Sequence, residues 1–151
     1  MPSRIDRAEA IGAGSAALGI LSAFLPWYGY AAANSHVTVN AFRASALGDV
    51  FFVAVAAVVL LLLIGKGFVD DVVTPYIPET TAHAIAAALA MGSVLVQMIL
   101  TRASGRSFGI GLFLALVAAA GLCTAAVLRR LHPDRRRIVR EPLSHEGLIT
   151  P

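Results

Sequence analysis

Residues 50–69, VFFVAVAAVVLLLLIGKGFV, decide the class of this chain, because a single charged side chain, Lys66, interrupts an otherwise apolar run. A hydrocarbon core about 30 Å thick needs roughly 20 helical residues, and about 18 with few charges already suffice. Three further blocks, 8–25, 82–100 and 108–128, have the same character, with short polar joints between them. The pattern predicts an all-α membrane protein: a four-helix transmembrane bundle with helices over about 4–26, 49–69, 81–101 and 107–130.

The composition agrees. Hydrophobic side chains make up 58% of the 151 residues and charged ones 14%, too apolar a balance for a soluble domain of this size. A soluble helical bundle would carry charges along one face of each helix, and these blocks carry almost none. The net charge of +3 does not point to nucleic acid, since half of the basic residues sit beside the last apolar block, where they act as a membrane flank. The chain therefore divides into a transmembrane domain, 1–130, and a basic, partly flexible tail, 131–151. Every basic residue except Lys66 is Arg, a usage associated with GC-rich bacterial genomes. Cys123, the sole cysteine, excludes an internal disulfide and reads as a small packing residue. A cleaved leader is the rival for the first block, with Arg4 and Arg7 ahead of it and Ala31, Ala32 and Ala33 behind. Asp6 and Glu9 in the basic leader region, and the length of the apolar run, favour a retained helix.

Basic residues in short loops collect on the cytoplasmic side. An even number of spans puts both termini and the 67–81 joint together, with Arg4, Arg7, Lys66, Arg129, Arg130, Arg135, Arg136, Arg137 and Arg140 on that side. Only Arg43, Arg102 and Arg106 fall on the other. The expected location is the cell membrane, multi-pass, with the N and C termini cytoplasmic.

Ser3 and Asp6 resemble a capping box at the start of helix one, and Pro26 should end it. Trp27, Tyr28 and Tyr30 then fall at the outer interface, where amphipathic rings prefer to lie. Residues 36–42 alternate with a period of two, which suits a strand, and Asn34 and Ser35 supply a turn. A small β-hairpin in the first outer loop follows, 27–31 against 37–41, packed on the helix ends because a lone hairpin is marginal. Asp49 reads as the cap that opens helix two, and Lys66 as a snorkelling anchor at its other end. The 68–81 joint, with Asp70, Asp71, Pro75, Pro78 and Glu79, reads as an acidic, kinked loop. The 103–107 joint is short enough to force an antiparallel helix pair.

Between helices in lipid there is no hydrophobic drive, so small residues that allow close backbone approach carry the packing. Gly12 with Ala16, and Ser15 with Gly19 and Ala23, mark helix one; Ala84, Ala88 and Gly92 mark helix three; Gly111, Ala115 and Ala119 mark helix four. Helices three and four are expected to form a tight small-residue pair. Helix two is bulky and branched after Ala57, and much of it should face lipid or a partner protein.

Intramembrane polar groups are functional candidates by default. Asp49, Ser93 and Gln97 are the candidates here, with Ser93 and Gln97 four apart on one face. An interhelical hydrogen bond and a capping role are the plainer readings of them, ahead of a transport path. His36, His83, His132 and His145 lie in separate segments without a metal-binding spacing. No phosphate loop, nucleophile elbow or metalloprotease helix is present. The expectation is a protein that is not an enzyme, with no cofactor and no metal. Arg129, Arg130, Arg135, Arg136, Arg137 and Arg140 are candidates for contact with anionic lipid, at about 1 kcal/mol for each residue near the surface. Trp27, Tyr28, Tyr30 and Phe42 are the candidate partner interface.

Leu25-Pro26-Trp27-Tyr28, then Val39-Asn40-Ala41-Phe42, then Gly48-Asp49, resemble a family of small four-span membrane proteins common in actinobacteria. The resemblance covers the first third of the chain and implies topology and envelope location, without a reaction. The arrangement is also similar to claudin-type proteins, but it lacks the paired cysteine of their first outer loop, so adhesion of that kind is not implied. The leading expectation is a non-enzymatic accessory or structural subunit of a larger cell-envelope assembly, such as a lipid or solute transporter, with membrane lipids and other membrane protein subunits as partners. Two alternatives stand beside it. One is a self-associating small channel, transporter or holin-like pore, which needs Asp49, Ser93 and Gln97 on one aqueous path. The other is an envelope stress or lipid sensor working through the basic tail.

Overall fold

A computed structural model describes residues 4–32, 35–65 and 79–131 of the chain. Along it run α1 (Arg4–Phe24), β1 (Pro26–Ala32), β2 (Ser35–Asn40), the single turn α2 (Ala41–Ala44), α3 (Ala46–Gly65), α4 (Glu79–Ala103), β3 (Ser107–Phe108) and α5 (Ile110–Leu131). The protein is mostly helical. Three of the described helices are long and apolar enough to cross a membrane, over Ala46–Leu63, Thr80–Ala103 and Ile110–Leu131. The 21 residues of α1 include Arg4, Asp6, Arg7 and Glu9 at its start. Most of the expected acidic joint, with Lys66, lies outside the described residues, as does the tail after Leu131; Glu79 to Thr81 belong to α4.

The four long helices close into a ring: α1 packs on α5 and α3, and α4 packs on α3 and α5. Neighbours run antiparallel. Gly12 of α1 faces Ala125 of α5, Ser15 lies against Gly121, and Gly19 sits between Ala118 of α5 and Val55 of α3. Those small residues let α1 and α5 approach closely over most of their length, which is how packing is achieved without large side chains. The expected pairing of the third and fourth helices, α4 and α5, is present, but the most extensive packing is between α1 and α5. The buried side of α5 contains Gly111, Ala115 and Ala119, as expected, together with Leu112, Leu122 and Ala126. On α4 the expected stripe divides, with Ala84 half-buried against the core and the other two residues outside it. Ala86, Ala87, Ala90 and Val94 are buried, whereas Ala88 and Gly92 are exposed.

The sheet caps one end of this ring. Its strand order is β2-β1-β3, all antiparallel. The hairpin register pairs Tyr28 with Val39, Gly29 with Thr38 and Tyr30 with Val37, close to the expected pairing. The third strand was not expected, because the 103–107 joint reads as a bare turn. Gly105, at φ +66, ends α4 through bonds from its own N–H to the Arg102 carbonyl at 3.1 Å and from Arg106 N–H to the Thr101 carbonyl at 3.2 Å. That is the Schellman pattern, with glycine in the left-handed position where other residues are strained. It turns Ser107–Phe108 back alongside β1, where Phe108 pairs with Tyr28 and Ser107 with Gly29.

Trp27 joins sheet and bundle. Pro26 cannot extend α1, so the last helical carbonyls need other donors. The Trp27 indole Nε1 supplies one to Ser22 O at 2.9 Å, and the ring is fully buried, edge-on to Phe51 at 5.4 Å. Gly109 N–H donates to the Trp27 carbonyl at 2.8 Å. A side chain at Gly109 would collide with the backbone of Pro26 and Trp27, and one at Gly111 with that of Leu25 and Pro26. Replacing Trp27 by Ala should cost about 3–5 kcal/mol, the usual range for a buried aromatic. Gly109→Val should also be strongly destabilising, because the obstacle is backbone. Thermal unfolding in detergent, followed by circular dichroism, checks both, with the exposed change Ala88→Leu expected to leave the melting temperature nearly unchanged.

Candidate functional site

Ser45, Gln97 and Thr101 form one buried polar cluster beneath the sheet. Ser45 precedes α3, and its hydroxyl accepts from Leu47 N–H at 3.3 Å, so Ser45 caps the helix. Asp49, expected to be the cap, lies within the first turn of a helix that starts three residues earlier than expected. The same Ser45 hydroxyl donates to Gln97 Oε1 on α4 at 2.6 Å. Gln97 Nε2 donates in turn to Thr101 Oγ1 at 3.3 Å. Gln97 and Thr101 are 3% and 1% exposed, so the amide oxygen is used toward the start of α3 and the amide nitrogen within α4. Ser93 is buried too, but its hydroxyl donates to Ala90 O of its own helix at 2.9 Å. Among the described residues, no buried side-chain nitrogen or oxygen lacks a hydrogen-bond partner.

The three candidate polar residues thus separate. Gln97 is a link between helices and Ser93 is turned back on its own backbone. Asp49 is exposed at the rim of a groove of about 570 Å³ between α3 and α4. Val50, Val53 and Leu60 line the groove from α3, and Ile85 and Leu89 from α4. A second, smaller groove of about 300 Å³ runs between α1 and α3, with Glu9 at its rim.

The candidate interface residues also divide. Trp27 is core and Tyr28 is buried, with its hydroxyl donating to Ala44 O at 3.3 Å. Tyr30 and Phe42 are 41% and 39% exposed. Phe42 bridges Phe24 of α1 and Phe52 of α3, with ring centroids 5.4 and 5.1 Å apart. Arg106 lies 4.7 Å above the Tyr28 ring and 5.8 Å from that of Tyr30, a cation–π arrangement that clamps the exposed face of the sheet.

At the opposite end, Arg129 of α5 reaches the buried His83 of α4, with Nη1 3.0 Å from Nε2. A guanidinium only donates, so that imidazole nitrogen is the acceptor. Arg130 is exposed. Arg135, Arg136, Arg137 and Arg140 lie outside the described residues. Cys123 points to the Ala87 carbonyl at 3.6 Å, consistent with a packing role. Among the described residues, no group of three His, Cys, Asp or Glu side chains could hold a metal ion.

Sequence reasoning missed Ser45, Thr101 and Arg106. Thr101 extends the spacing of Ser93 and Gln97 by a further four residues, a signal that was present. Ser45 immediately precedes the apolar run and was eclipsed by Asp49. Neither a protein-family model nor a curated protein matches the chain.

Ser45→Ala and Gln97→Ala should each lower stability by about 1–2 kcal/mol, the range for a cap or a polar contact between membrane helices. Because both remove the same bond, the double variant should fall short of the sum by about 0.5 kcal/mol or more. Unfolding of the four proteins in a double-mutant cycle measures the coupling.

Proposed function

We propose that the protein is a non-enzymatic four-span protein of the cell membrane, an accessory subunit of a larger envelope assembly such as a lipid or solute transporter. In this reading α1 is the fourth span, the sheet faces outward, and both termini are cytoplasmic. Arg7 lies near the start of α1 and Arg129 and Arg130 near the end of α5. These helices run antiparallel, so Arg4, Arg7, Arg129 and Arg130 share the end opposite the sheet, against Arg43, Arg102 and Arg106 at the sheet end; the excess that supports the orientation under the positive-inside rule comes from the sequence flanks, with Lys66, Arg135, Arg136, Arg137 and Arg140.

One observation carries the docking role: the open apolar side of α3 and α4. The α3 span is the least buried of the three, with Val50, Val53, Leu60 and Leu63 exposed beside Ile85 and Leu89 of α4. Meanwhile the polar side chains inside the bundle are used within it, which leaves little from which to build a route for solute. An aqueous path through Gln97 and Ser93 would first have to break the contacts they make.

Affinity capture of the tagged native protein in mild detergent should recover a companion membrane protein in fixed stoichiometry. Recovery alone, or only as a homo-oligomer, overturns the accessory role. For topology, a fluorescent protein fused to the C terminus should fluoresce, and alkaline phosphatase inserted after Asn34 should be active. The reverse pattern overturns the assigned orientation.

A further inference from the structure

We infer that two copies of the chain pair edge to edge through β2, antiparallel, about a two-fold axis that runs along the bundle. The inference stands apart from the accessory reading, since a dimer can still carry a companion. β2 is an outer strand in the order β2-β1-β3, so one side of its backbone has no neighbouring strand among the described residues. Natural sheets blunt such an edge with charge, proline, a bulge or a strand too short to pair. At the other edge, β3 has only two residues. β2 has six, Ser-His-Val-Thr-Val-Asn, with no proline, lysine, arginine or carboxylate, and the irregularity in its ladder lies between Pro26 and Tyr28 of β1. It packs mainly on β1 and the α2 turn rather than under a long helix.

The side chains of β2 are complementary to themselves. Val37 and Val39 are half-buried on the face shared with Tyr28, whereas His36 and Thr38 are exposed on the other face. In the antiparallel register that sets Thr38 against its own copy, Val37 meets Val39 and His36 meets Asn40. Apolar then lies beside apolar and polar beside polar, with no like charges opposed. The membrane selects this symmetry. An antiparallel pair of identical strands has its two-fold axis perpendicular to the sheet, and the sheet caps the bundle, so both bundles enter one bilayer in the same orientation. Parallel pairing would need an axis within the sheet, which places the bundles on opposite sides of it.

A strand pair alone falls short of the roughly 800 Å² per partner of a stable interface, and α1 extends it. β3 touches α4, and β2 lies across β1 from it. The open edge therefore looks away from α4, over the corner of the ring held by α1. There α1 exposes Ala10, Gly14, Ala17 and Leu21, and a Cβ added at Gly14 would meet nothing within 4 Å. Such a surface lets the same helix of a second copy come close in lipid.

The test counts copies of the full-length protein in phosphatidylcholine vesicles by stepwise photobleaching of one dye at the C terminus, and maps the register with cysteines in a Cys123→Ala background. Two bleaching steps are expected. Thr38→Cys should link to its copy on copper–phenanthroline oxidation, because facing residues of adjacent antiparallel strands have Cβ atoms about 4.5–5.5 Å apart. His36→Cys should not link to itself, being about 13 Å out of register, but should link to Asn40→Cys when the two variants are mixed. Thr38→Lys, which opposes two charges on the axis, should raise the dissociation constant of the dimer about fivefold, and Gly14→Leu should also raise it, while Thr38→Ser leaves it unchanged. Single-step bleaching of the native protein overturns the inference. So does a dimer that survives Thr38→Lys and Gly14→Leu and gives no Thr38→Cys link. A dimer recovered without a companion supports this interface and overturns only the accessory role; a companion recovered with single copies of the chain overturns this interface alone.

Discussion

The hydrogen bond from the Trp27 indole to the Ser22 carbonyl is the constraint on which the architecture turns. A proline must end α1 somewhere, and a helix end inside a tightly packed bundle leaves carbonyls that water cannot reach. Here the Trp27 indole adds a second donor to the Ser22 carbonyl, which also accepts Leu25 N–H at 3.2 Å, and the same ring fills the space beneath the sheet against Phe51. With the ring in place, the Pro26–Trp27 backbone lies flat enough for Gly109 and Gly111 to rest on it. The start of α5, the direction of β1 and the closure of the ring of helices all follow from that seating.

The rest of the bundle uses two means of cohesion suited to an apolar solvent. Close backbone approach between α1 and α5 gives dispersion contact through residues with little side-chain entropy to lose. Between α3 and α4, where the side chains are larger, the Ser45–Gln97–Thr101 cluster provides a directional tie instead. The helix least supplied with small residues is thus the one fixed by a polar link at its sheet end.

Much of this was legible in the chain. Hydropathy and length marked out the helices, Pro26 ended the first, and alternation over 36–42 announced a strand, although that strand stops at Asn40, whose side chain caps the turn α2 that takes up Ala41 and Phe42. Asp49 and Ser45 are equally good caps by residue type, and both precede the bulky run; the fold uses Ser45, which accepts Leu47 N–H. Residues 107–108 were illegible as a strand because two residues carry no period; what aligns them is the glycine turn at Gly105 and a neighbour nearly eighty positions away. The orientation of the Ala84–Ala88–Gly92 stripe was equally hidden. Spacing shows that small residues share a helix face, but not whether that face looks into the molecule or out of it. Residue type alone puts Trp27 at an interface; in the fold its ring is fully buried and its indole bonds the Ser22 carbonyl.

Ser107 Oγ donates to the Gly29 carbonyl across 78 residues of chain, and this has a consequence for biogenesis. A nascent chain emerging from its N terminus presents β1 and β2 long before β3 exists, and a two-stranded hairpin is marginal by itself. The first loop therefore stays incompletely paired until α4 has been made and the chain has turned at Gly105. One residue, Gly109, separates that third strand from the last helix. The sheet thereby acts as a latch that closes only once the start of the last helix is in place, so the pairing of the first loop depends on the final third of the chain.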